Sequence, residues 1–541
     1  MTSRPNATLN NADLEKGKPT PIDPFPRVNT LETPPPTSGH ASAADDKTIV
    51  DDDGQNEVDA PGEPKLSEKV EQSLYLVRWD GPDDPENPKN WSRLYRWFLT
   101  MASSLLVLNA SFASSAPTGV LDQLIERFSL SRILAILTIS LFIVGYCVGP
   151  LAWGPLSEQY GRRPVLLAGF FGYTAFQVGC AVAETKEQVL VFRLMGGTFA
   201  ASPMTVAGAL LADIWDADTR GKAMAFFTLA PFAGPALGPI VSGYIDVGGA
   251  SWRWLFGVLA IFAGLCFFLI LFGIPETYGP AIQTKKAARR RKETNDYQWF
   301  SELEAEDIAL VARLERVLAR PFKIMALEPM LFAITLYMSF VYGCMYLLFE
   351  AYPIVFTIGH HLNNGQSGLT FLPLFLGGTA GCFTYIYYFA RMYKAKIPQY
   401  APNMVPPEQR LLPSMYAAPL FAISFFWFGW TSFPSISLWA PLMAGLVMGF
   451  SIVLIFLGLF NYLVDAYLIV AASAIASSTV VRSVFGAGFP LFATNMYEKL
   501  NPRWASTVLG CISLLMIPIP FGLYRYGPWI RRTSKYAPTL D

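Results

Sequence analysis

The sequence predicts an all-α integral membrane protein with twelve transmembrane helices. Hydrophobic residues make up 52% of the 541 residues and charged residues make up 15%, whereas charged residues form about 25% of a typical soluble protein. Twelve apolar segments are each long enough to cross a hydrocarbon core of about 30 Å as a helix. A charged segment separates the first six from the last six.

Composition also excludes several other classes of protein. The 41 basic residues balance the 41 acidic residues, so no net positive charge points to a nucleic-acid partner. The six cysteines all lie within apolar segments and form no CxxC pair, which argues against a disulfide framework and a zinc site. No histidine lies within a predicted span, and the chain lacks a GxxxxGK[ST] phosphate loop. We therefore expect no enzyme activity, no metal and no cofactor.

The order of segments along the chain follows from these patterns. Residues 1–90 are rich in Pro, Ser, Asp and Glu and lack apolar clusters. Such a segment cannot bury enough surface to offset its chain entropy, so we predict a disordered cytosolic tail. Six spans follow within 91–275, and six more lie within 329–526. The predicted spans are 97–117, 133–153, 164–183, 189–211, 223–245, 254–274, 330–357, 367–389, 413–433, 438–461, 466–492 and 504–526.

The polar segments set the expected orientation in the membrane. Residues 276–328 form a predicted cytosolic central linker, in which we interpret the basic run at 285–292 as a solvated segment. Residues 527–541 form a predicted cytosolic C-terminal tail. Basic residues concentrate in the loops on the side of the N-terminal tail, so the positive-inside rule places both termini in the cytosol. We expect the plasma membrane, with the vacuolar membrane as an alternative.

The turn between spans 2 and 3 carries a charged cluster that suits a conformational latch. Glycine and proline permit a tight turn there, and an acidic group opposite two arginines can join two helix ends in one conformation and release them in another. A short loop after span 4 adds two acidic candidates and one more arginine. The latch candidates are Gly154, Glu158, Gly161, Arg162, Arg163, Asp213, Asp216 and Arg220.

Charged residues within the spans are the candidates for lining the cavity and for proton coupling. Arg193 lies about 12 Å into span 4 at 1.5 Å per residue, where a charge normally faces a cavity or a partner. Glu350 in span 7 is the candidate proton carrier. A plain hydrogen-bond donor for Arg193 and a helix-end role for Glu350 are the alternatives. Secondary candidates are Glu276 after span 6, Asp465 between spans 10 and 11, interpreted mainly as a helix cap, and Arg482 in span 11.

Span 5 combines small residues with prolines. Glycines four residues apart make a smooth face that lets a neighbouring helix approach closely, and prolines remove backbone donors and bend a helix. A stiff, tightly packed bend would limit leakage in one conformation, and the alternative is a kink without directional meaning. The residues concerned are Gly234, Pro235, Gly238, Pro239 and Gly243.

These motifs resemble those of the major facilitator superfamily. The turn GPLSEQYGRRP matches its signature GxLaDrxGRrxxl, with Glu158 in place of the usual Asp. The segment LVFRLMGGTFAASP is similar to lxxxRxxqGxgaa, with Arg193 at the arginine position. Span 5 is similar to gxxxGPxxGG, a motif characteristic of exporters. The segments WDGPDDPENPKNWS, YLLFEAYPIVF and RSVFGAGFPLF resemble the fungal drug:proton antiporter group with twelve spans.

The resemblance implies two six-helix bundles related by a pseudo-twofold axis, a central cavity and alternating access. It also implies proton-coupled efflux of a small organic molecule, such as a secondary metabolite, an organic acid or a xenobiotic. A polyamine exporter and a proton symporter that imports a small solute are the alternatives. Two intramembrane arginines and few intramembrane acids favour an anionic or neutral polar cargo over a polyamine. The expected partners are that cargo, the proton and the lipid bilayer, and we expect the monomer to be functional.

Overall fold

The structure is a computed structural model, and it describes residues 75–305, 321–400, 404–534 and 536. Its described residues are helical apart from turns and one isolated bridge between Leu76 and Phe300. Twelve principal helices are α1 (Arg93–Ser115), α2 (Arg132–Tyr160), α3 (Arg162–Val182), α4 (Lys186–Ile214), α5 (Ala217–Val247), α6 (Trp252–Gly273), α7 (Pro329–Tyr352), α8 (Leu372–Thr384), α9 (Leu412–Thr431), α10 (Trp439–Tyr467), α11 (Ala471–Met516) and α12 (Pro518–Thr533).

Shorter helical segments connect or extend these helices. A π-helical turn continues α7, and another joins α8 to a helix that prolongs it. The α-helical pieces are Leu121–Phe128, Gly279–Thr294, Glu302–Ala305, Asn364–Leu369 and Ala390–Tyr400. The π-helical pieces are Pro353–Gly359 and Tyr385–Phe389, and the 3-10 turns are Pro88–Asn90, Ala116–Val120, Pro407–Leu411 and Leu468–Val470.

The number of membrane crossings depends on how α11 is divided. Eleven helical segments of the described chain are long and apolar enough to cross a membrane, and the last runs over Ser473–Thr533. Within it, Asn501 has a non-helical backbone with φ 59° and ψ 154°. The Tyr497 and Ser506 hydroxyls lie 3.0 Å apart, although nine residues of straight helix would span about 13 Å. The chain therefore folds back at Asn501, which is consistent with the twelve predicted spans.

The same pattern of helix pairs occurs in each half of the chain, as a bundle with an internal repeat requires. In the first half α1 packs along α5, α2 along α4, and α3 against α4 and α6. In the second half α7 packs along α11, α8 along α10, and α9 against α10 and α11. The halves meet through α2 on α11 and α5 on α8, two contacts that a twofold axis would exchange. The all-helical fold is thereby confirmed, and the pairing is consistent with two six-helix bundles.

The two ends of this bundle pair differ in what they carry. We call one end the linker face, because it holds the 154–164 turn, the Gly279–Thr294 helix and the start of α7. The other end, the opposite face, holds Ala116–Ser131 and the Asn364–Leu369 helix. Among the described residues, the ion pair and the hydrogen bonds between oxygen and nitrogen atoms of side chains that join the bundles lie in the opposite half of the molecule. One of them is the bond from the Asn364 amide to the Asp246 carboxylate, at 2.7 Å.

Residues 75–91 form an ordered segment, which we call the N-terminal clamp. The prediction of disorder is wrong for 75–90, and residues 1–74 lie outside the described residues. The clamp lies on the Gly279–Thr294 helix, where Lys286 Nζ is 2.8 Å from Asp84 Oδ2 and 2.6 Å from Asp80 Oδ2. The interpretation of 285–292 as a solvated segment is therefore wrong for Lys286, which is buried under the clamp, whereas Lys285, Arg289 and Lys292 are exposed.

Burial and hydrogen bonding act against each other on the clamp carboxylate. Burial alone would raise the pKa of Asp84, but hydrogen bonds from Lys286 and from the Asp80 and Glu86 amides outweigh burial. The pKa of Asp84 therefore falls to about 2. Burial alone would lower the pKa of Lys286, but its hydrogen bonds to the two aspartates raise it. Both groups stay charged throughout the physiological pH range.

Asp84→Asn should loosen the clamp, because the amide leaves the buried Lys286 charge without its closest buried anion. We expect the amides of the Gly279–Thr294 helix to exchange with deuterium roughly tenfold faster, the size of one lost charge-assisted hydrogen bond. Hydrogen-exchange mass spectrometry measures this change. Asp83→Asn is the matched control, since Asp83 is exposed, and an equal effect there would contradict the assignment.

The pH dependence of the clamp follows from the lowered pKa of Asp84. Its stabilising contribution is complete above the ordinary pKa of 3.8 and is lost only as the pH falls toward about 2. Protection factors of the Gly279–Thr294 helix should therefore stay constant between about pH 5 and pH 8. A decline within that window would show that another group controls the clamp.

Candidate functional site

Arg193 lies in the middle of the first bundle and is fully buried. Its Nε donates to the Thr138 carbonyl at 2.6 Å, and its Nη2 donates to the Ala113 carbonyl at 2.9 Å. The last carbonyls of α1 lack intrahelical partners and favour a cation, because they lie at the negative end of the helix dipole. The guanidinium also stacks 4.1 Å from the Phe142 ring centre. Arg193 thus fastens α1 and α2 to α4.

A row of hydroxyl groups extends from Arg193 into the second bundle. Nη2 of Arg193 also lies 3.4 Å from the Ser114 carbonyl, and the Ser114 hydroxyl is 2.9 Å from the Tyr346 hydroxyl. The Tyr342 hydroxyl donates to that of Tyr346 at 3.4 Å. The Arg482 guanidinium lies 5.0 Å from the Tyr342 ring centre. The two intramembrane arginines are therefore connected across the bundle interface.

Glu350 lies at the contact between the bundles, in the opposite half of the molecule. It is 1% exposed, and its Oε2 accepts a hydrogen bond from the Thr494 hydroxyl at 3.2 Å. Arg132, the first residue of α2, approaches the same oxygen to 3.8 Å, while Oε1 is buried without a partner in the described residues. The carboxylate charge is therefore only partly compensated. Arg132 lies just outside the predicted span 133–153, and sequence reasoning missed this pair.

A small cavity beside Glu350 connects this carboxyl to polar groups of the opposite face. Its volume of about 40 Å³ is enough for a few water molecules. Asp122, which lies 3.5 Å from Arg132, and Asn364 also line it. A water-filled cavity of this kind can carry a proton between the carboxyl and the opposite face.

A buried charged cluster fixes the linker face of the first bundle. Arg162 Nε donates to Asp213 Oδ2 at 3.0 Å, so the start of α3 is tied to the end of α4. Glu276 accepts hydrogen bonds from the Arg162 amide at 2.8 Å and the Arg163 amide at 3.2 Å. A carboxylate at these two free amides caps the helix and favourably meets its dipole. Gly161, with φ 97°, allows this approach, because a Cβ there would collide with Glu276.

The structure brings together only part of the predicted latch. Glu158 is exposed and forms no hydrogen bond or ion pair within the described residues. Asp216 is exposed and lies 4.0 Å from Arg96 Nη1, and Gly154 has only ordinary contact with Thr205. The side chain of Arg220 lies outside the described residues. Glu276, a secondary candidate in the sequence, is instead central to the cluster.

The second bundle repeats this arrangement with other residues. Arg410 Nε donates to Asp465 Oδ2 at 2.7 Å, so Asp465 is an ion-pair acceptor within α10, and its interpretation as a helix cap is wrong. Arg531 pairs with Glu408 through two bonds of 3.0 Å. Arg162 and Asp213 are 51 positions apart, and Arg410 and Asp465 are 55 apart. A comparison of the two halves of the sequence could have found the second pair.

The span 5 motif places small residues where α5 meets its neighbours. A Cβ at Gly234 would lie 2.6 Å from the Phe112 amide nitrogen, and one at Gly238 would lie 2.8 Å from that of Ala116, both near the end of α1. A Cβ at Gly243 would lie 2.7 Å from the Asn364 carbonyl carbon in the second bundle. The motif therefore faces both α1 and the opposite-face end of the second bundle.

The prolines of the same motif supply a hydrogen-bond acceptor between helices. Pro239 has no N–H, so the Pro235 carbonyl lacks the donor that an α-helix would give it. The Ser115 hydroxyl of α1 fills that position at 2.9 Å. α5 nevertheless continues unbroken from Ala217 to Val247. The Gly–Pro repeat thus makes a face of α5 to which α1 can bond directly.

Comparison with known proteins agrees with this architecture. The family model described as "Major Facilitator Superfamily" matches residues 102–490. The multidrug transporter mdrA of Aspergillus fumigatus is 39% identical over 88% of this chain and 78% of its own. The ascochitine biosynthesis cluster transporter of Didymella fabae is 38% identical over 89% of this chain and 92% of its own. The chain belongs to the major facilitator superfamily and is a membrane transporter.

Solved structures agree at the level of the fold. The xylose transporter XylE of E. coli, in a partially occluded inward-open conformation, has a TM-score of 0.55 and 16% identity to this chain. The match covers 80% of this chain and 99% of the xylose transporter. The family model and the two relatives confirm the predicted resemblance to the superfamily, and the solved structure agrees with its fold.

Glu276→Gln should lower the stability of the first bundle. The neutral glutamine side chain accepts hydrogen bonds from the two backbone N–H groups at the start of α3 less well than a carboxylate does. The favourable interaction of the negative charge with the helix dipole is also lost. We expect a loss of about 0.5–2 kcal/mol, the usual range for a helix N-cap, seen as a lower thermal unfolding midpoint. Glu158→Gln is the matched control, because Glu158 is exposed, and an equal loss in both variants would contradict this assignment.

Gly234→Ala should destabilise the contact between α1 and α5. The added methyl group would meet backbone atoms of α1, and such overpacking costs about 1–3 kcal/mol. Gly208→Ala is the control, because nothing lies within 4 Å of its added Cβ. Thermal unfolding in detergent should show a lower midpoint for Gly234→Ala alone. Equal midpoints for the two variants would rule out close packing as the reason for the glycine.

Proposed function

We propose that the protein exports small organic molecules by alternating access, in exchange for protons. The partly compensated Glu350 at the contact between the bundles is the observation that carries this proposal. Relatives named as a multidrug transporter and as a transporter of a biosynthesis cluster support export of a xenobiotic or secondary metabolite. The linker face is the cytosolic side in this proposal, so both termini are cytosolic, and the plasma membrane is the location.

Glu350 is the proposed proton carrier. When the opposite face is open, its carboxylate is hydrated and takes up a proton from that side. Closing the opposite face buries the side chain, which costs less for a neutral carboxyl than for a charged one. The empty carrier therefore returns with a proton and releases it when the cavity faces the linker side. The charge of Glu350 is then compensated only in part, by Arg132 and Thr494. Because this makes the closed opposite face less stable, cargo can reopen it.

Arg193 is the proposed link between the cavity and this conformational change. It holds the end of α1 through the Ala113 and Ser114 carbonyls. The Ser114 hydroxyl contacts Tyr346, which lies one helical turn from Glu350 in α7. A shift of α7 relative to α1 must therefore break or rebuild a contact anchored by Arg193.

The linker face closes, in this proposal, by means of Glu158. α2 and α11 already pack against each other, and a Cβ at Gly486 of α11 would lie 3.4 Å from Ile143 of α2, so pivoting about this contact would bring the end of α2 toward the start of α11. That start has no side-chain cap, since Val470 makes no capping bond. Its free amides and positive dipole end would attract the Glu158 carboxylate. Asp216 and Arg220 supply further charges at the same face, and the Arg162–Asp213–Glu276 cluster keeps the first bundle rigid.

The available driving force suffices for this function. A pH difference of two units supplies about 2.8 kcal/mol per proton, and a potential of 100 mV adds about 2.3 kcal/mol. The sum corresponds to a concentration ratio of several thousand. Each chain contains both bundles and the surfaces between them, so a monomer is the proposed functional unit.

Efflux from intact cells tests the proposed function. Cells that express the wild type are loaded with labelled drugs, organic acids and polyamines, with and without a protonophore. We expect protonophore-sensitive extrusion of at least one class. Accumulation of the labelled compounds inside the cells, or efflux that the protonophore does not reduce, would contradict exchange for protons.

Glu350→Gln should separate coupling from cargo binding. In proteoliposomes, efflux driven by an imposed pH gradient should fall to background, because glutamine cannot carry the proton. Binding of the same exported compound should persist. Glu498→Gln is the control, since Glu498 is an exposed carboxylate of the second bundle. Gradient-driven efflux by Glu350→Gln at the wild-type rate would exclude Glu350 as the carrier.

A further inference from the structure

Arg482 is partly buried, and it differs from the fully buried cations of the described chain in having no partner for its charge. Lys286, Arg162 and Arg531 each meet a carboxylate, and Arg193 meets backbone carbonyls. Arg482 forms no hydrogen bond and no ion pair with any described residue, and its Nε is buried without an acceptor. Its guanidinium lies near two aromatic rings, those of Tyr342 and Phe456, at 5.0 and 5.7 Å from the ring centres.

Because Arg482 lies deep in the bundle, an uncompensated charge there costs free energy. It lies eleven residues into α11, about 16 Å from the start of the helix at 1.5 Å per residue. A cation at such a depth normally faces a cavity and is neutralised there. Aromatic rings stabilise a guanidinium but do not cancel its charge. The bundle therefore holds a guanidinium whose counter-ion the described part of the protein does not provide.

The surroundings of Arg482 combine hydroxyl groups with an apolar wall. Ser478 and Thr479 lie one helical turn before it, on the same face of α11, and line the same narrow cavity. The Thr479 hydroxyl donates to the Ile475 carbonyl at 2.9 Å, whereas the Ser478 hydroxyl has no hydrogen-bond partner in the described residues and can donate to an incoming anion. The apolar lining consists of Met338, Phe460, Leu463 and Ile475.

We propose that Arg482 binds the anionic group of the cargo, and that the cargo class is organic anions with one carboxylate or sulfonate on an apolar, preferably aromatic, body. The anion would take the two-pronged face of the guanidinium and the Ser478 hydroxyl. The apolar body would lie against the Met338–Phe460 wall and the rings around Arg482. A polycation would meet an uncompensated positive charge at the same place.

The cavity is narrow in this conformation, with a volume of about 10 Å³, which is about one water molecule. Cargo must therefore displace side chains as it binds. Met338 is suited to this, because methionine adapts its shape at little cost. The site lies on the linker-face side of Tyr342, so it would load from that side. This inference rests on the proposed transport function for its meaning, but the binding itself does not depend on direction or coupling.

Binding to the purified full-length protein tests the proposal. The probes are 2-naphthoate and naphthalene-2-sulfonate as anions, and 2-naphthamide as the neutral isostere, at a pH where both acids are ionised. We expect the wild type to bind both anions more tightly than the amide. Arg482→Gln should weaken binding of the anions by roughly 10- to 100-fold and leave the amide nearly unchanged. Arg482→Lys should retain part of the preference.

Other outcomes would overturn the proposal. Equal affinity of the wild type for the anions and the amide would do so, as would failure to bind either anion. A preference that survives in Arg482→Gln would assign it to another residue. The Arg482→Lys variant guards against misfolding, since its thermal unfolding midpoint should match the wild type. Loss of proton-driven efflux with intact anion preference would instead count against the proposed function alone.

Discussion

The need to neutralise charge inside an apolar helix bundle governs the rest of this structure. A charged group away from water costs free energy unless ions, carbonyls or hydroxyls surround it. Most buried charges of the described chain are surrounded by such groups, and they hold helices together. Arg193 ties three helices through carbonyls, and Arg162 and Arg410 fix the linker face of each bundle. Glu350 and Arg482 meet it incompletely, and these are the residues to which we assign transport.

The two bundles are alike in scaffold but are joined unequally. Each has an arginine–aspartate pair at the linker face that stays within its own bundle; Arg162 is buried, and Arg410 and Asp465 are partly buried. The ion pair and the side-chain hydrogen bonds between oxygen and nitrogen atoms that join the bundles in the described residues are instead in the opposite half, where Glu350 meets Arg132 and Asp246 meets Asn364. Two rigid bundles that are connected at one end can rotate relative to each other about that connection. Alternating access then requires only that this connection be exchanged for one at the linker face.

Local patterns in the sequence predicted the local features of the structure. Span length and hydropathy predicted the helices, and glycine spacing in span 5 predicted the close approach of a neighbouring helix, which the structure shows to be α1. Contacts between distant residues carried no such signal. Glu276 reaches the start of α3 across 114 positions, and Lys286 reaches Asp84 across 202. The disorder prediction failed at residue 75 for the same reason, because the acidic clamp is stable only against a basic helix far along the chain.

The central claim is that protonation of Glu350 decides which face is closed. Spin labels at Tyr160 near the end of α2 and Ser473 near the start of α11, with Cys147 and Cys511 replaced by serine, report the opening of the linker face. In the wild type with cargo present, electron–electron double resonance should give a longer distance between the two labels at low pH than at high pH. In Glu350→Gln, the label distance should equal the low-pH wild-type value at every pH. A distance independent of pH in the wild type, or a pH response that survives in Glu350→Gln, would contradict the account.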